Sequence, residues 1–175
     1  MYSIILASYK ESKNLNLLID KIFSLLKKNI EIIIVDDFSD DGTLEILKKK
    51  KKKYKKKINY LIRYKDRGLG KSIYEGLLLS KRKNIVLMDC DFNHNPKDIL
   101  RLIEKFEKNN LDFIVGSRFK IVKFRSLKLR FILSYFYCLI LSKFLGYNYS
   151  DSLSGFFIIK KKVINKISLK KVFFG

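Results

Sequence analysis

The sequence predicts an α/β fold built on a mostly parallel sheet flanked by helices. Three observations carry that prediction. Short β-branched apolar runs alternate with longer helical segments in the order βαβαβαβαβ. Those runs are too uniformly apolar to be one-sided strands, so the sheet is covered on both faces. Polar clusters follow the strands, where ligands bind in open α/β sheets. At 175 residues the chain fits one domain. Such a length buries about 70% of its unfolded surface, so folding needs neither disulfide nor metal.

Residues 3–7 (SIILA) read as the first strand. Over 14–26, Leu15, Leu18, Ile19, Ile22, Phe23 and Leu26 recur at spacings of three and four, the period of an amphipathic helix. Residues 31–35 (EIIIV) form a second strand, and the polar loop 36–42 follows it. Thr43 then caps a helix carrying Leu44, Ile46 and Leu47. The lysine-rich stretch after it prolongs a solvated helix end into a loop. Residues 58–64 are a third strand, and 68–80 a helix entered through glycines. Residues 84–88 (NIVLM) are a fourth strand, ending at Asp89. Pro96 opens a helix whose apolar face is Ile99, Leu102, Ile103 and Phe106. Residues 111–116 (LDFIVG) form the fifth strand.

Composition narrows the function classes. Hydrophobic residues at 47% argue against simple disorder, and one Pro with 8 Gly excludes collagen-like structure. With Lys+Arg at 38 and Asp+Glu at 17, the net charge is +21. That balance points to an anionic partner: nucleic acid, a membrane surface or a phosphorylated substrate. Much of the charge is one run, 48–57, interrupted only by Tyr54. A nucleic-acid surface needs cations interleaved with aromatics, so a nucleic-acid partner is not expected. Heavy Lys, Ile and Asn usage also fits the compositional bias of an AT-rich genome. Cys90, Cys138 and a single His do not make the usual zinc ligand sets. They give no disulfide framework either, so a reducing compartment is expected. Residues 1–11 lack the basic and long apolar regions of a signal peptide. No run approaches the ~18 apolar residues of a transmembrane helix.

Several clusters can carry chemistry. Asp89 and Asp91 stand one residue apart at a strand end. In extended backbone both face one side, and Asn93 continues the series. Oxygen donors of that kind suit Mg²⁺ or Mn²⁺ with substrate phosphates. The same residues equally make a polar loop with an Asp cap. Asp36-Asp37 can accept hydrogen bonds from a base or ribose, or form a turn before a helix. Residues 67–71 (RGLGK) can bring backbone N–H groups, with Lys71, near a phosphate, or simply enter a helix tightly. Arg118, Arg125, Lys128 and Arg130 precede the 11-residue apolar run 131–141. A segment over 126–146 reads either as a membrane-interface helix or as a buried core helix. His94 reads as a loop or capping residue, and both cysteines as inert apolar residues.

Six stretches, taken in order, resemble family 2 glycosyltransferases of the GT-A fold, and within them the dolichol- or polyprenyl-phosphate mannosyltransferase group. Residues 3–11 (SIILASYKE) resemble the opening strand and PTYNE motif, and 31–43 (EIIIVDDFSDDGT) the VDD-S-DGT segment. Residues 67–76 (RGLGKSIYEG) resemble the RGLG helix, and 86–96 (VLMDCDFNHNP) the MDADLQHPP segment. Residues 112–119 (DFIVGSRF) and 151–156 (DSLSGF) resemble the GSRY strand and the DPxSGF motif.

The resemblance implies transfer of a sugar from a nucleoside-diphosphate sugar to a membrane lipid phosphate. GDP-mannose is the first donor expected and UDP-glucose the second, with polyprenyl or dolichyl phosphate as acceptor. By the resemblance, Tyr9 and Glu11 line the nucleotide pocket, with Asp37 near the base. Asp89, Asp91 and Asn93 hold Mg²⁺ or Mn²⁺ and the diphosphate. Arg118 and Arg130 grip the acceptor phosphate, Ser154 belongs to the donor or acceptor pocket, and Asp151 is an alternative for metal support or base work. A cytoplasmic enzyme, peripheral on the cytoplasmic face of a membrane, is implied. There are departures. Ala7, Lys10, Asn95 and Ser152 replace a Pro, an Asn, a Pro and a Pro of the motifs. Family members usually continue beyond the point where this chain ends. The expectation is therefore a single GT-A catalytic domain over 1–175, C-terminally short. A partner subunit, a glycan acceptor or a non-catalytic nucleotide-sugar-binding role are its alternatives.

Overall fold

A computed structural model describes residues 1–26, 29–117 and 154–166. Its elements are β1 (Tyr2–Ser8), α1 (Ser12–Leu25), β2 (Ile30–Asp36), α2 (Thr43–Tyr54), a 3₁₀ turn (Lys55–Lys57), β3 (Ile58–Ile62), α3 (Leu69–Leu79), β4 (Asn84–Asp89), α4 (Asp98–Lys108), β5 (Phe113–Val115), β6 (Phe157–Lys160) and α5 (Lys161–Ile164). The six strands form one sheet in the order β3-β2-β1-β4-β6-β5. The β1 strand pairs in parallel with β2 on one side and β4 on the other, and β3 pairs in parallel with β2.

The sheet is two-sided because its central strands are apolar at both parities. Ile4, Leu6, Ile32, Ile34, Val86 and Met88 pack with apolar residues of α1, α2 and α4. Ile5, Ile85 and Leu87 point the other way, toward Leu77 of α3 and Ile164 of α5. Gly76 lets α3 lie close on that face. A Cβ there would stand 2.5 Å from Ile5 Cγ2. Every residue of β2 is buried, Glu31 included. Its carboxylate Oε1 accepts hydrogen bonds from Ser3 Oγ (2.6 Å) and the Lys81 N–H (2.7 Å). A buried acid in an apolar strand is tolerated because those donors satisfy it.

The sheet is mostly parallel, as expected, but three details differ. First, a sixth strand, β6, runs antiparallel and lies between β4 and β5. Residues 157–160 (FIIK) are an apolar strand that follows directly on the SGF residues, and motif reading absorbed them. Second, Thr43 does not cap α2. It is the first helical residue, and its hydroxyl donates to Asp41 Oδ1 at 2.6 Å, with its N–H on the same oxygen at 3.2 Å. Asp41 therefore does the capping, and its other oxygen accepts the Ser12 N–H at 2.9 Å. Third, the lysine run is not wholly solvated. Lys50 is buried and pairs with Asp20 of α1 at 2.7 Å. Lys51 Nζ donates to the carbonyl of Ile58 and to Asn59 Oδ1.

Candidate active site

Adjacent parallel strands bring their C-terminal ends together. The register pairs Ser8 with Asp36 and Ala7 with Asp89, so β1 stands between two acidic strand ends. Each end then turns into a polar loop that the fold must hold.

At the β2 end, Asp36 is buried, and its carboxylate accepts the Ser39 N–H (2.8 Å) and hydroxyl (2.7 Å). Asp37 is buried too. Its Oδ2 accepts the Gly68 N–H at 2.7 Å, while Oδ1 accepts from Ser72 Oγ (2.7 Å) and Arg63 NH1 (2.9 Å). The Arg63 guanidinium also donates to the carbonyls of Gly68 (3.3 Å) and Asp66. A buried ion pair thus ties the β2 loop to the RGLG entry of α3. Lys71, half-buried in the first turn of α3, lies 3.3 Å from the exposed Asp66 carboxylate. Sequence reasoning missed Arg63. The available signal was a lone cation at the end of an apolar strand, beside a strand ending in two aspartates.

At the β1 end, Tyr9 is exposed, and Lys10 takes a left-handed conformation (φ 57°). Lys10 Nζ lies 3.2 Å from Asp40, and that hydrogen bond raises the ammonium pKa and lowers the carboxyl's. The cation that departs from the PTYNE motif is therefore partly neutralised. Glu11 accepts from Asn14 Nδ2 at 2.7 Å and borders a shallow cavity of about 380 Å³ lined also by Lys10, Ser12, Lys13 and Asp41.

At the β4 end, Asp89 closes the strand and is half-buried. Gly155 lies directly against it: a Cβ there would stand 2.9 Å from both carboxylate oxygens. Ser154 Oγ donates to the Gly116 carbonyl at 2.7 Å and accepts the Phe156 N–H at 3.2 Å, fastening this turn to the end of β5. The strand stops before Asp91, which corrects the extended-backbone argument for a shared face. Asp91 is exposed and accepts the Asn93 N–H at 3.0 Å and its side-chain amide N–H, with Phe92 left-handed at φ 59°. His94 is a loop residue, as expected, between β4 and α4. It is buried, with its ring 4.9 Å from that of Phe156. Cys90 is inert as expected: burial, then the neighbouring carboxylates, push its thiol pKa up, and its Sγ donates to the Ala7 carbonyl at 3.2 Å.

The described residues therefore bring Tyr9, Glu11, Asp37, Lys71, Asp89, Asp91, Asn93 and Ser154 to one end of the sheet. Arg118, Arg130, Asp151, Cys138 and the 126–146 segment lie outside the described residues.

The profile of glycosyl transferase family 2 matches residues 3–168. The chain belongs to that family. It is 32% identical over 184 aligned residues to a dolichol-phosphate mannosyltransferase of Pyrococcus furiosus, covering 98% of this chain and 49% of the relative. It thus spans about half the length of that relative. The fold resembles glucosyl-3-phosphoglycerate synthase of Mycobacterium tuberculosis solved with Mn²⁺, UDP-glucose and phosphoglyceric acid. That likeness has a TM-score of 0.71 at 17% identity, over 95% of this chain and 59% of the other. It also resembles a mannosyltransferase of Pyrobaculum calidifontis in complex with GDP-mannose and Mn²⁺. There the TM-score is 0.66 at 14% identity, over 95% and 46% of the two chains. These likenesses establish the GT-A fold expected of the family. Among the described residues, no helix is long and apolar enough to cross a membrane.

Proposed function

We propose that this chain carries the transfer of a sugar from a nucleoside-diphosphate sugar to a polyprenyl or dolichyl phosphate at the cytoplasmic surface of a membrane, with inversion at the sugar carbon. Mannose from GDP-mannose is the first donor and glucose from UDP-glucose the second. The observation that carries the reading is the 32% identity to a dolichol-phosphate mannosyltransferase across 98% of this chain.

The oxygen donors at the β4 end fit a divalent cation. Asp89 and Asp91, with the Asn93 carbonyl, would hold Mg²⁺ or Mn²⁺, whose remaining ligands come from substrate phosphates and water. Among the described residues, no group of three or more His, Cys, Asp or Glu could hold a metal. The ion, when bound, neutralises charge developing on the leaving diphosphate. Tyr9, Glu11 and Asp37 would border the nucleotide, with the Arg63–Asp37 pair holding the RGLG loop and Lys71 in place. Ser154 would set the turn that presses Gly155 on Asp89. Arg118 and Arg130 are assigned to the acceptor phosphate, and Asp151 to support of metal or base. A phosphate acceptor is already anionic near neutral pH, so it needs no strong general base.

The test is transfer of labelled sugar from a panel of GDP- and UDP-sugars to polyprenyl phosphate in detergent, with Mg²⁺ or Mn²⁺. Metal-dependent labelled lipid is expected from the wild-type chain, and Asp91→Ala should abolish it together with metal-dependent nucleotide binding. Nucleotide-sugar binding without transfer would instead indicate a binding module that acts with further residues or a partner subunit. Transfer only to glycans or soluble phosphorylated acceptors would overturn the lipid assignment.

A further inference from the structure

The run 48–57 carries the densest charge in the chain, and the structure separates its structural lysines from its unengaged ones. Lys50 and Lys53 share Asp20 of α1 at 2.7 and 3.2 Å. Lys51 reaches across to β3. Tyr54, the aromatic that interrupts the run, is consumed internally: it stacks on Phe23 at 4.0 Å and donates its hydroxyl to Asp20 at 2.6 Å. Lys48, Lys49, Lys52, Lys55, Lys56 and Lys57 are all exposed, and none has an ion-pair partner among the described residues. Asp20 is engaged by Lys50, Lys53 and Tyr54.

This is a surface of exposed ammonium groups on one helix and the turn after it, and the one aromatic of the run, Tyr54, is engaged internally. Base stacking is a main source of affinity for single-stranded nucleic acid, whereas lysines alone suffice to attract anionic headgroups. We propose that the outer side of α2 and the 55–57 turn form an electrostatic docking face for an anionic lipid bilayer. The purpose of the face rests on the membrane-surface reading above, but its evidence is the geometry of α2 alone. Helix α2 begins at the candidate site and runs antiparallel to the strands.

The test is co-sedimentation of the full chain with phosphatidylcholine vesicles, with and without phosphatidylglycerol, at about 0.15 M and about 1 M salt. Binding is expected only to anionic vesicles and only at the lower salt. Replacing Lys48, Lys49, Lys52 and Lys56 by Gln should weaken it by about two orders of magnitude or more, since each lysine near the surface contributes about fivefold. The melting temperature should not change, because these side chains hold nothing together. A charge-matched control, Lys81, Lys83, Lys105 and Lys108 to Gln, should keep binding within about threefold. Equal weakening in both variants would reduce the effect to net charge and overturn the proposal. So would equal binding to neutral vesicles, or tighter, α2-dependent binding to a single-stranded oligonucleotide. Vesicle binding without sugar transfer would leave the face standing and remove the transferase reading. Transfer in detergent without vesicle binding would do the reverse.

Discussion

Replacing Arg63 by Met removes the cation that holds the β2 loop to the entry of α3. The side chains of Arg63 and Asp37 are 8% and 9% exposed, so the pair is effectively desolvated. Deleting one partner of a buried pair costs about 3–5 kcal/mol, because it leaves an uncompensated charge. Here Asp37 keeps the Gly68 N–H and the Ser72 hydroxyl, both at 2.7 Å, which places the expected loss near the lower end, about 3 kcal/mol. In urea, with a slope of about 1–3 kcal/mol/M, the midpoint should fall by at least about 1 M. Far-UV circular dichroism across a urea series measures it. Adding Asp37→Asn to Arg63→Met removes the stranded charge and should recover at least about 1 kcal/mol. A loss below about 1 kcal/mol in the single variant, or no recovery in the double, would refute the claim that this ion pair holds the loop.

Other perturbations test neighbouring parts of the argument. Gly155→Ala puts a Cβ 2.9 Å from both oxygens of Asp89, so the carboxylate must move. Mn²⁺-dependent nucleotide binding, read by isothermal calorimetry, should weaken about tenfold or more, about the effect of losing a metal site's supporting contact. Unchanged binding would separate Asp89 from the metal. Gly76→Ala should destabilise by about 1–2 kcal/mol in thermal unfolding, because overpacking against Ile5 outweighs the helix-propensity gain of about 1 kcal/mol. A gain in stability would show that the α3–sheet contact is loose.

Asp20 supplies a pH test. Burial works to raise its pKa, but hydrogen bonds from Lys50, Tyr54 and Lys53 outweigh that and bring it to about 2. A carboxyl depressed on folding stabilises above its unfolded value near 4, and that stabilisation is lost as pH falls through about 2. The side chain is 43% exposed, so solvent screening leaves about 1 kcal/mol of the shift as stability. Asp20→Asn should therefore cost about 1 kcal/mol at pH 7, with its unfolding curve converging on the wild type's below about pH 2.

The sequence by itself determined the α/β order, the two-sided core and the end of the sheet at which the polar clusters gather. Hydrophobic period and strand-end chemistry are local properties, so Leu15 to Leu26 announce a helix, and Asp36 and Asp89 a functional end, without any distant contact. The same holds for the family, whose motifs are short and local. Tertiary structure alone decided what each polar group bonds to. Arg63 looks like one more cation until the parallel register sets it against Asp37 from a neighbouring strand. The period-two argument for Asp89, Cys90 and Asp91 fails because the strand ends at Asp89 and Asp91 is drawn into a turn with Asn93. β6 escaped because an antiparallel strand inserted between two others is set by chain return, which no local pattern records. The lysine run divides the same way. Its charge is plain in the sequence, but only the packing of α2 on α1 and β3 distinguishes the lysines that hold the fold from those that face outward.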